Sequence, residues 1–231
     1  MRKVLDFGKL VLLGCFLLFL SCKSTSERTP SILEVVDKRS FIPKEEIITF
    51  CSEYQIDPHS VYWWKNHWVI YVDASEISNL KGKIKERYPN SNINLYEKPF
   101  YRFSRDEHCN DKRMRSCEHV IMTANLVEDE AMQQAYMEYH RTQFEKWPEV
   151  SKGFCNADFQ QVLVFRNGRQ LMLVISIPKG KSLEELNPKT VEHNPRVKEW
   201  NAIMSNYQEG LADAPNDSTW ITFEKITEEI I

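Results

Sequence analysis

The same order of predicted strands and helices occurs twice along this chain. Apolar residues alternate or run together in the strands and recur every three or four positions in the helices. The first half is predicted to have a strand at 32–37, a helix from 43, a hairpin over 61–72, a helix over 75–88 and a strand at 93–96. The second half is predicted to have a strand at 119–127, a helix from 128, a hairpin over 159–177, a helix from 195 and a strand over 220–226.

Turn and capping residues support these boundaries. Asn167 and Gly168 form the dipeptide typical of a tight turn between the strands of the second hairpin. Ser75 is a predicted N-cap, because its side-chain oxygen can accept from a free backbone N–H at a helix start. Asn194 and Pro195 pair an N-cap residue with a proline in the first turn.

Each half therefore follows the order βαββαβ, the split βαβ unit of ferredoxin-like folds. The predicted fold class is α+β, with two such units in tandem. Helices cover one face of each sheet, so the other face needs a partner. Two sheets facing each other within one chain would give the α/β barrel that homodimers of such units build; two independent domains are the alternative. The predicted domains are 31–104 and 119–231, joined by a linker at 105–118.

The N-terminus has the pattern of an export signal. Arg2, Lys3 and Lys9 give it positive charge, and an unbroken apolar run follows at 10–20. That run is shorter than the roughly 20 residues that a membrane span needs. It fits the apolar region of a signal peptide over residues 1–21, with an uncleaved signal anchor as the alternative.

The end of the signal resembles the lipobox of bacterial lipoproteins. There a small residue, here Ser21, precedes a cysteine, here Cys22, that is acylated and becomes the mature N-terminus. Residues 22–30 are mostly polar, as expected of a tether. We expect an exported protein of the cell envelope, anchored by lipid to a membrane as a periplasmic or outer-membrane lipoprotein.

Export permits disulfides. Cys109 and Cys117 enclose a polar stretch and are predicted either to close a small loop as a disulfide or to be unpaired thiols. A metal site formed with His108 and His119 is the alternative, but the two cysteines are farther apart than the two to four residues usual in zinc sites. No metal site is therefore predicted. Of the other cysteines, Cys51 and Cys155 are expected to be small buried hydrophobic residues.

Charge argues against a nucleic-acid partner. The net charge is −3, and the basic residues are spread along the chain without a cluster. The richest stretch for chemistry is 136–150, where Tyr136 and His140 lie four positions apart. That spacing places a phenol and an imidazole on one face of a helix. Imidazole can donate or accept a proton near neutral pH, although such a pair is often only structural.

The order of several motifs resembles the L-rhamnose mutarotase family. Tyr-x-x-x-His and Trp-Pro-Glu at 136–149 are followed by the hairpin, by Asn-Pro-Arg-Val-Lys-Glu-Trp-Asn at 194–201 and by a closing Trp-Ile-Thr-Phe-Glu strand. The resemblance implies that His140 is the catalytic proton donor. It also implies a sugar site formed by Tyr136, Gln161, Trp200 and Asn201. No cofactor is implied.

The function expected from the resemblance is that of an isomerase, which interconverts the anomers of L-rhamnose or a related monosaccharide by acid–base ring opening. A non-catalytic carbohydrate-binding lipoprotein and a structural lipoprotein are the alternatives. A homodimer is also compatible with the family. In the first half, Trp63, Trp64 and Trp68 suggest either a carbohydrate platform or ordinary packing.

Overall fold

The computed structural model describes residues 29–114, 116–215 and 218–226. The predicted signal peptide, Cys22 and nearly all of the tether lie outside the described residues. In the part of the chain that is described, no helix has the length and apolar character needed to cross a membrane.

The first unit has the predicted βαββαβ order. Its strands are β1 (Pro30–Val36), β2 (Val61–Trp64), β3 (His67–Asp73) and β4 (Asn92–Tyr96), and its helices are α1 (Lys44–Tyr54) and α2 (Ile77–Arg87). The strands pair antiparallel in the order β2-β3-β1-β4, which is the ferredoxin-like order. Short 3₁₀ turns at Pro58–Ser60 and Ala74–Glu76 lead into β2 and α2.

The second unit repeats this order with more helices. Its sheet contains β6 (Cys117–Leu126), β7 (Gln161–Asn167), β8 (Gln170–Pro178) and β10 (Ile221–Thr222), and the two-residue β9 (Gln208–Glu209) also pairs with β6. The sheet order β10-β6-β8-β7 matches that of the first unit. The helices are α4 (Glu130–Arg141), α5 (Gln143–Lys146), α6 (Pro148–Asn156), α7 (Leu183–Leu186), a 3₁₀ turn at Asn187–Thr190 and α8 (Pro195–Ser205).

Each unit gives one strand to the sheet of the other. After β4, the chain forms β5 (Tyr101–Ser104), which pairs antiparallel with β7 of the second sheet. After β10, it forms β11 (Glu224–Lys225), which pairs antiparallel with β2 of the first sheet. The predicted last strand over 220–226 is therefore divided between two sheets. The backbone N–H of Phe223, between β10 and β11, donates to the carbonyl of Ile121 at 2.9 Å.

The two sheets pack face to face, as in the predicted intrachain α/β-barrel arrangement. The fully or nearly fully buried apolar residues between them come from both units: Ile32, Tyr62, Val69, Tyr96, Ile121, Leu163, Phe165, Met172, Val174 and Phe223. The predicted α+β class with two ferredoxin-like units is thus confirmed.

A buried carboxylate lies within this interior. The side chain of Glu34 on β1 is fully buried and accepts hydrogen bonds from Asn94 at 2.9 Å and Tyr96 at 3.1 Å. Its other oxygen lies 2.9 Å from Nδ1 of His67 and accepts from Gln170 of the second unit at 3.0 Å. Because both oxygens have polar partners, the cost of burying this carboxyl group is offset.

The disulfide differs from the prediction. Cys109 bonds to Cys155 on α6, so the expected Cys109–Cys117 pairing is wrong, and so is the expectation that Cys155 is a buried apolar residue. Proximity along the sequence favoured Cys117, but the short helix α3 (Arg105–His108) directs Cys109 towards α6. Cys51 is buried as predicted. Among the described residues, no three His, Cys, Asp or Glu side chains are grouped so as to hold a metal ion.

The tryptophans of the first unit do not share a surface. Trp68 is fully buried in the helix-facing core, while Trp63 and Trp64 are half-buried and successive on β2, so their side chains point to opposite faces of the sheet. Lys44 lies over the ring of Trp63 at 4.8 Å, and Lys65 lies over that of Trp64 at 4.6 Å.

Candidate active site

Helix α4 positions the predicted catalytic pair. The helix begins where the carboxylate of Asp129 accepts from the backbone N–H of Met132 at 2.9 Å, a standard N-cap. Gln133, Tyr136 and His140 form its buried face. The predicted spacing of Tyr136 and His140 therefore places both side chains against the sheet of the second unit, with 1% and 7% of their surfaces exposed.

The imidazole of His140 is held by the helix itself. Its Nδ1 lies 3.0 Å from the backbone carbonyl oxygen of Tyr136, one turn earlier. A carbonyl oxygen only accepts, so Nδ1 carries the proton. In the neutral ring Nε2 is then left with a free lone pair, and this nitrogen is a base rather than an acid.

Four aromatic rings surround this imidazole. The ring centroids lie 4.3 Å away for Tyr136, 5.1 Å for Tyr101, 5.3 Å for Trp200 and 5.7 Å for Phe100. We call these four residues the aromatic cage. Two of its members, Tyr136 and Trp200, were predicted from the sequence, and they come from α4 and α8 of the second unit.

The other two members, Phe100 and Tyr101, lie just before and at the start of β5, the strand that the first unit adds to the sheet of the second. The backbone N–H of Phe100 donates to the carbonyl of Val164 at 2.9 Å, and Tyr101 pairs with the same residue in the β5–β7 ladder. The hydroxyl of Tyr101 donates to Gln143 at 2.7 Å. Sequence reasoning missed both residues because they precede the linker and their pairing with β7 is a long-range contact.

Burial sets the proton affinities of the site. It lowers the pKa of His140 to about 4, an effect that the hydrogen bond to the Tyr136 carbonyl only partly opposes. Burial also raises the pKa of Tyr136 above its usual range. At neutral pH the site therefore holds a neutral imidazole beside a protonated phenol.

A short chain of hydrogen bonds orients that phenol. The side-chain amide of Gln208 donates to the Tyr136 hydroxyl oxygen at 3.1 Å, and the indole N–H of Trp220 donates to the Gln208 carbonyl oxygen at 3.1 Å. The Tyr136 hydroxyl therefore keeps its own proton available for donation. Gln208 was not predicted, since a lone glutamine after a helix gives no sequence signal.

The structure does not bring Gln161 and Asn201 into the cage. Gln161 is buried, but it lies on the same face of β7 as Leu163 and Phe165, because side chains two positions apart on a strand share a face. That face packs against the other sheet and points away from the cage. Asn201 lies on the exposed side of α8, next to the buried Trp200. Of the residues expected to bind sugar, Tyr136 and Trp200 are thus the two that contact His140.

Known proteins resemble the second unit. Residues 119–228 match the family model described as L-rhamnose mutarotase. An L-fucose mutarotase from Xanthomonas campestris pv. campestris is 24% identical over 110 residues, which are 46% of this chain and 82% of that protein. A UPF0734 protein from Dictyostelium discoideum is 24% identical over 106 residues, which are 45% of this chain and 82% of that protein.

Two solved structures are similar across both units. One, from Fusobacterium nucleatum, has a TM-score of 0.46 and 10% identity and covers 85% of this chain and 91% of its own. The other, an uncharacterised ferredoxin-fold protein from Listeria monocytogenes related to antibiotic biosynthesis monooxygenases, has a TM-score of 0.41 and 10% identity and covers 87% and 96%. The C-terminal half of this chain is similar to the L-rhamnose mutarotase family over residues 119–228, which confirms the resemblance that its motifs indicated.

Proposed function

We propose that this protein is a sugar mutarotase that interconverts the anomers of L-rhamnose or of a related aldose such as L-fucose. The observation that carries the proposal is the state of His140. This residue lies within the matched segment and presents an unprotonated Nε2 inside a cage of aromatic rings. Aromatic rings pack against the C–H faces of sugars, and a free imidazole nitrogen can move a sugar's proton.

The reaction needs one proton moved between two oxygens of the same sugar. Nε2 of His140 removes the proton of the anomeric hydroxyl, the oxygen forms a carbonyl with C1, and the bond between C1 and the ring oxygen breaks. The imidazolium then returns the proton to the former ring oxygen. Rotation of the aldehyde and reversal of the steps close the ring as the other anomer. Atoms and charge balance without a cofactor.

In this reaction scheme His140 acts first as a base, whereas the family resemblance implied a proton donor. With a pKa of about 4 the residue is neutral at pH 7, so it must accept a proton before it can donate one. In this mechanism the Tyr136 hydroxyl, which keeps its proton while it accepts from Gln208, donates a hydrogen bond to a sugar oxygen. The indole of Trp200 provides an apolar face beside the imidazole.

Saturation-transfer NMR of anomer exchange on L-rhamnose, L-fucose and other aldoses tests the proposal. We expect faster exchange with the native protein and a loss of about 10²–10⁴-fold in the His140→Asn variant, the usual contribution of a general acid–base residue. The matched control is His193→Asn, because His193 is an exposed histidine at positive φ, a conformation that asparagine tolerates. A folded native protein that accelerates no sugar would contradict the proposal.

A non-catalytic carbohydrate-binding protein is the second candidate. The observation that favours it is the burial of the imidazole, since only 7% of His140 is exposed. The same NMR experiment decides between the two functions. Sugar binding that persists without any acceleration of exchange would establish the binding protein.

We also propose that the chain is exported and anchored to a membrane by acylation of Cys22, on the evidence of the signal pattern at 1–22. The test compares the native chain with Cys22→Ser in bacteria fed a radiolabelled fatty acid. Label and membrane fractionation that both disappear in the variant are the expected result. Label that persists in Cys22→Ser would rule out this anchor.

A further inference from the structure

A surface cavity lies against helix α4. Its volume is about 350 Å³, and its lining residues are Phe100, Gln134, Met137, Glu138 and Arg141. We call it the α4 cavity. Small-molecule sites usually have volumes of about 300–1,000 Å³, so a monosaccharide is within the range that it can accommodate.

Phe100 belongs both to the aromatic cage and to the lining of this cavity. Its ring lies 5.7 Å from the imidazole of His140 and 6.3 Å from the ring of Tyr136, and the same side chain lines the cavity. Phe100 is half-buried, whereas Tyr136 and His140 are buried. A change in the rotamer of this one side chain would therefore connect the cavity with His140.

The cavity has the composition of a carbohydrate site. Phe100 and Met137 supply apolar surface, while Gln134, Glu138 and Arg141 are exposed polar side chains. Arg141 holds the Glu138 carboxylate through two contacts of 2.7 and 2.6 Å. A carboxylate has further lone pairs for sugar hydroxyls, and a guanidinium has further N–H groups for sugar oxygens.

We propose that the α4 cavity is the site where an aldohexose or its 6-deoxy derivative docks before it reaches His140, with Phe100 as the wall between the two. The Glu138–Arg141 pair binds adjacent hydroxyl groups, and Phe100 and Met137 contact the apolar face of the ring. This inference rests on the proposed mutarotase function. It implies that the sugar enters the site between α4 and Phe100, the residue that directly precedes β5.

An NMR titration of the full-length chain with L-fucose and L-rhamnose tests the docking site directly. We expect backbone amide shifts at Gln134, Met137, Glu138 and Arg141. The double variant Glu138→Gln/Arg141→Gln should raise the half-saturating sugar concentration about tenfold, because hydrogen bonds to charged groups are lost. Glu145→Gln, an exposed glutamate outside the cavity, should leave it unchanged.

A third variant tests whether the side chain of Phe100 lies between the α4 cavity and the imidazole of His140. In Phe100→Ala the imidazole faces the cavity, so the pKa of His140 should rise from about 4 towards 6.5. A retained low pKa, with the fold intact by circular dichroism, would overturn the assignment of Phe100.

The outcomes separate this proposal from the function on which it rests. Normal sugar affinity in the double variant, or amide shifts confined to another part of the protein, would overturn the docking site even if His140→Asn abolishes exchange. Amide shifts at the α4 cavity that weaken in the double variant would support the docking site even if the native protein accelerates no exchange.

Discussion

The side-chain amide of Gln170 donates a 3.0 Å hydrogen bond to the carboxylate of Glu34, across the interface between the two sheets. The two residues are 136 positions apart, and each belongs to a different unit. Because Glu34 is fully buried, the carboxylate needs these hydrogen-bond donors, and the donors in turn would be left unpaired without the carboxylate.

We therefore expect Glu34→Ala to destabilise the whole protein. The substitution leaves the donors of Asn94, Tyr96 and Gln170 without their acceptor, and such losses cost about 1–3 kcal/mol for each buried group. Urea denaturation should show a decrease in the free energy of unfolding of about 3 kcal/mol. Glu86→Ala, at an exposed position of α2, should change it by less than about 0.5 kcal/mol. Similar values for both variants would contradict this role of Glu34.

The low pKa of His140 predicts a specific pH dependence. Burial lowers its pKa from 6.5 to about 4, so the unfolded chain binds a proton more readily than the folded protein between these values. The contribution of His140 to stability is complete above pH 6.5 and is lost as the pH falls towards 4. NMR of ¹³C-labelled histidine should show titration near pH 4, with anomer exchange nearly constant from about pH 5.5 to 8. Titration near 6.5 in the folded protein would refute it.

The disulfide predicts different effects for two cysteines. Cys109→Ser removes a cross-link between residues 46 positions apart, which should lower the free energy of unfolding by about 2–4 kcal/mol. Cys117→Ser should have little effect, since Cys117 is outside this bond. Denaturation under oxidising conditions checks both variants. Peptide mapping that links Cys109 to Cys117 would contradict the observed pairing.

Two glycines in helices should respond in opposite directions to alanine. A Cβ at Gly153 of α6 would lie 2.6 Å from the carbonyl oxygen of Thr190, so Gly153→Ala forces the backbones apart and destabilises the protein. A Cβ at Gly82 of α2 meets nothing within 4 Å, so Gly82→Ala should stabilise it by about 0.5–1 kcal/mol. Thermal melting of the two variants checks the difference in sign, and equal shifts would exclude the close approach at Gly153.

The sequence predicted what depends on local patterns. The two βαββαβ orders, both hairpins and the shared face of Tyr136 and His140 follow from periodicity and turn residues, which act over a few positions. The pairing of β5 with β7, the bond from Cys109 to Cys155 and the entry of Phe100 into the cage are contacts between distant segments. No local pattern distinguishes such contacts from their alternatives.

The exchange of β5 and β11 determines how this protein can be divided. A fragment that begins at residue 119, where the family resemblance begins, would lack Phe100, Tyr101 and Cys109 and would expose the backbone edge of β7. The complementary fragment would lack β11 and expose the edge of β2. Neither half is therefore an independent module. A gene fusion that contained only one of the halves would encode a sheet that lacks a strand. We therefore expect the two halves to stay together in one gene.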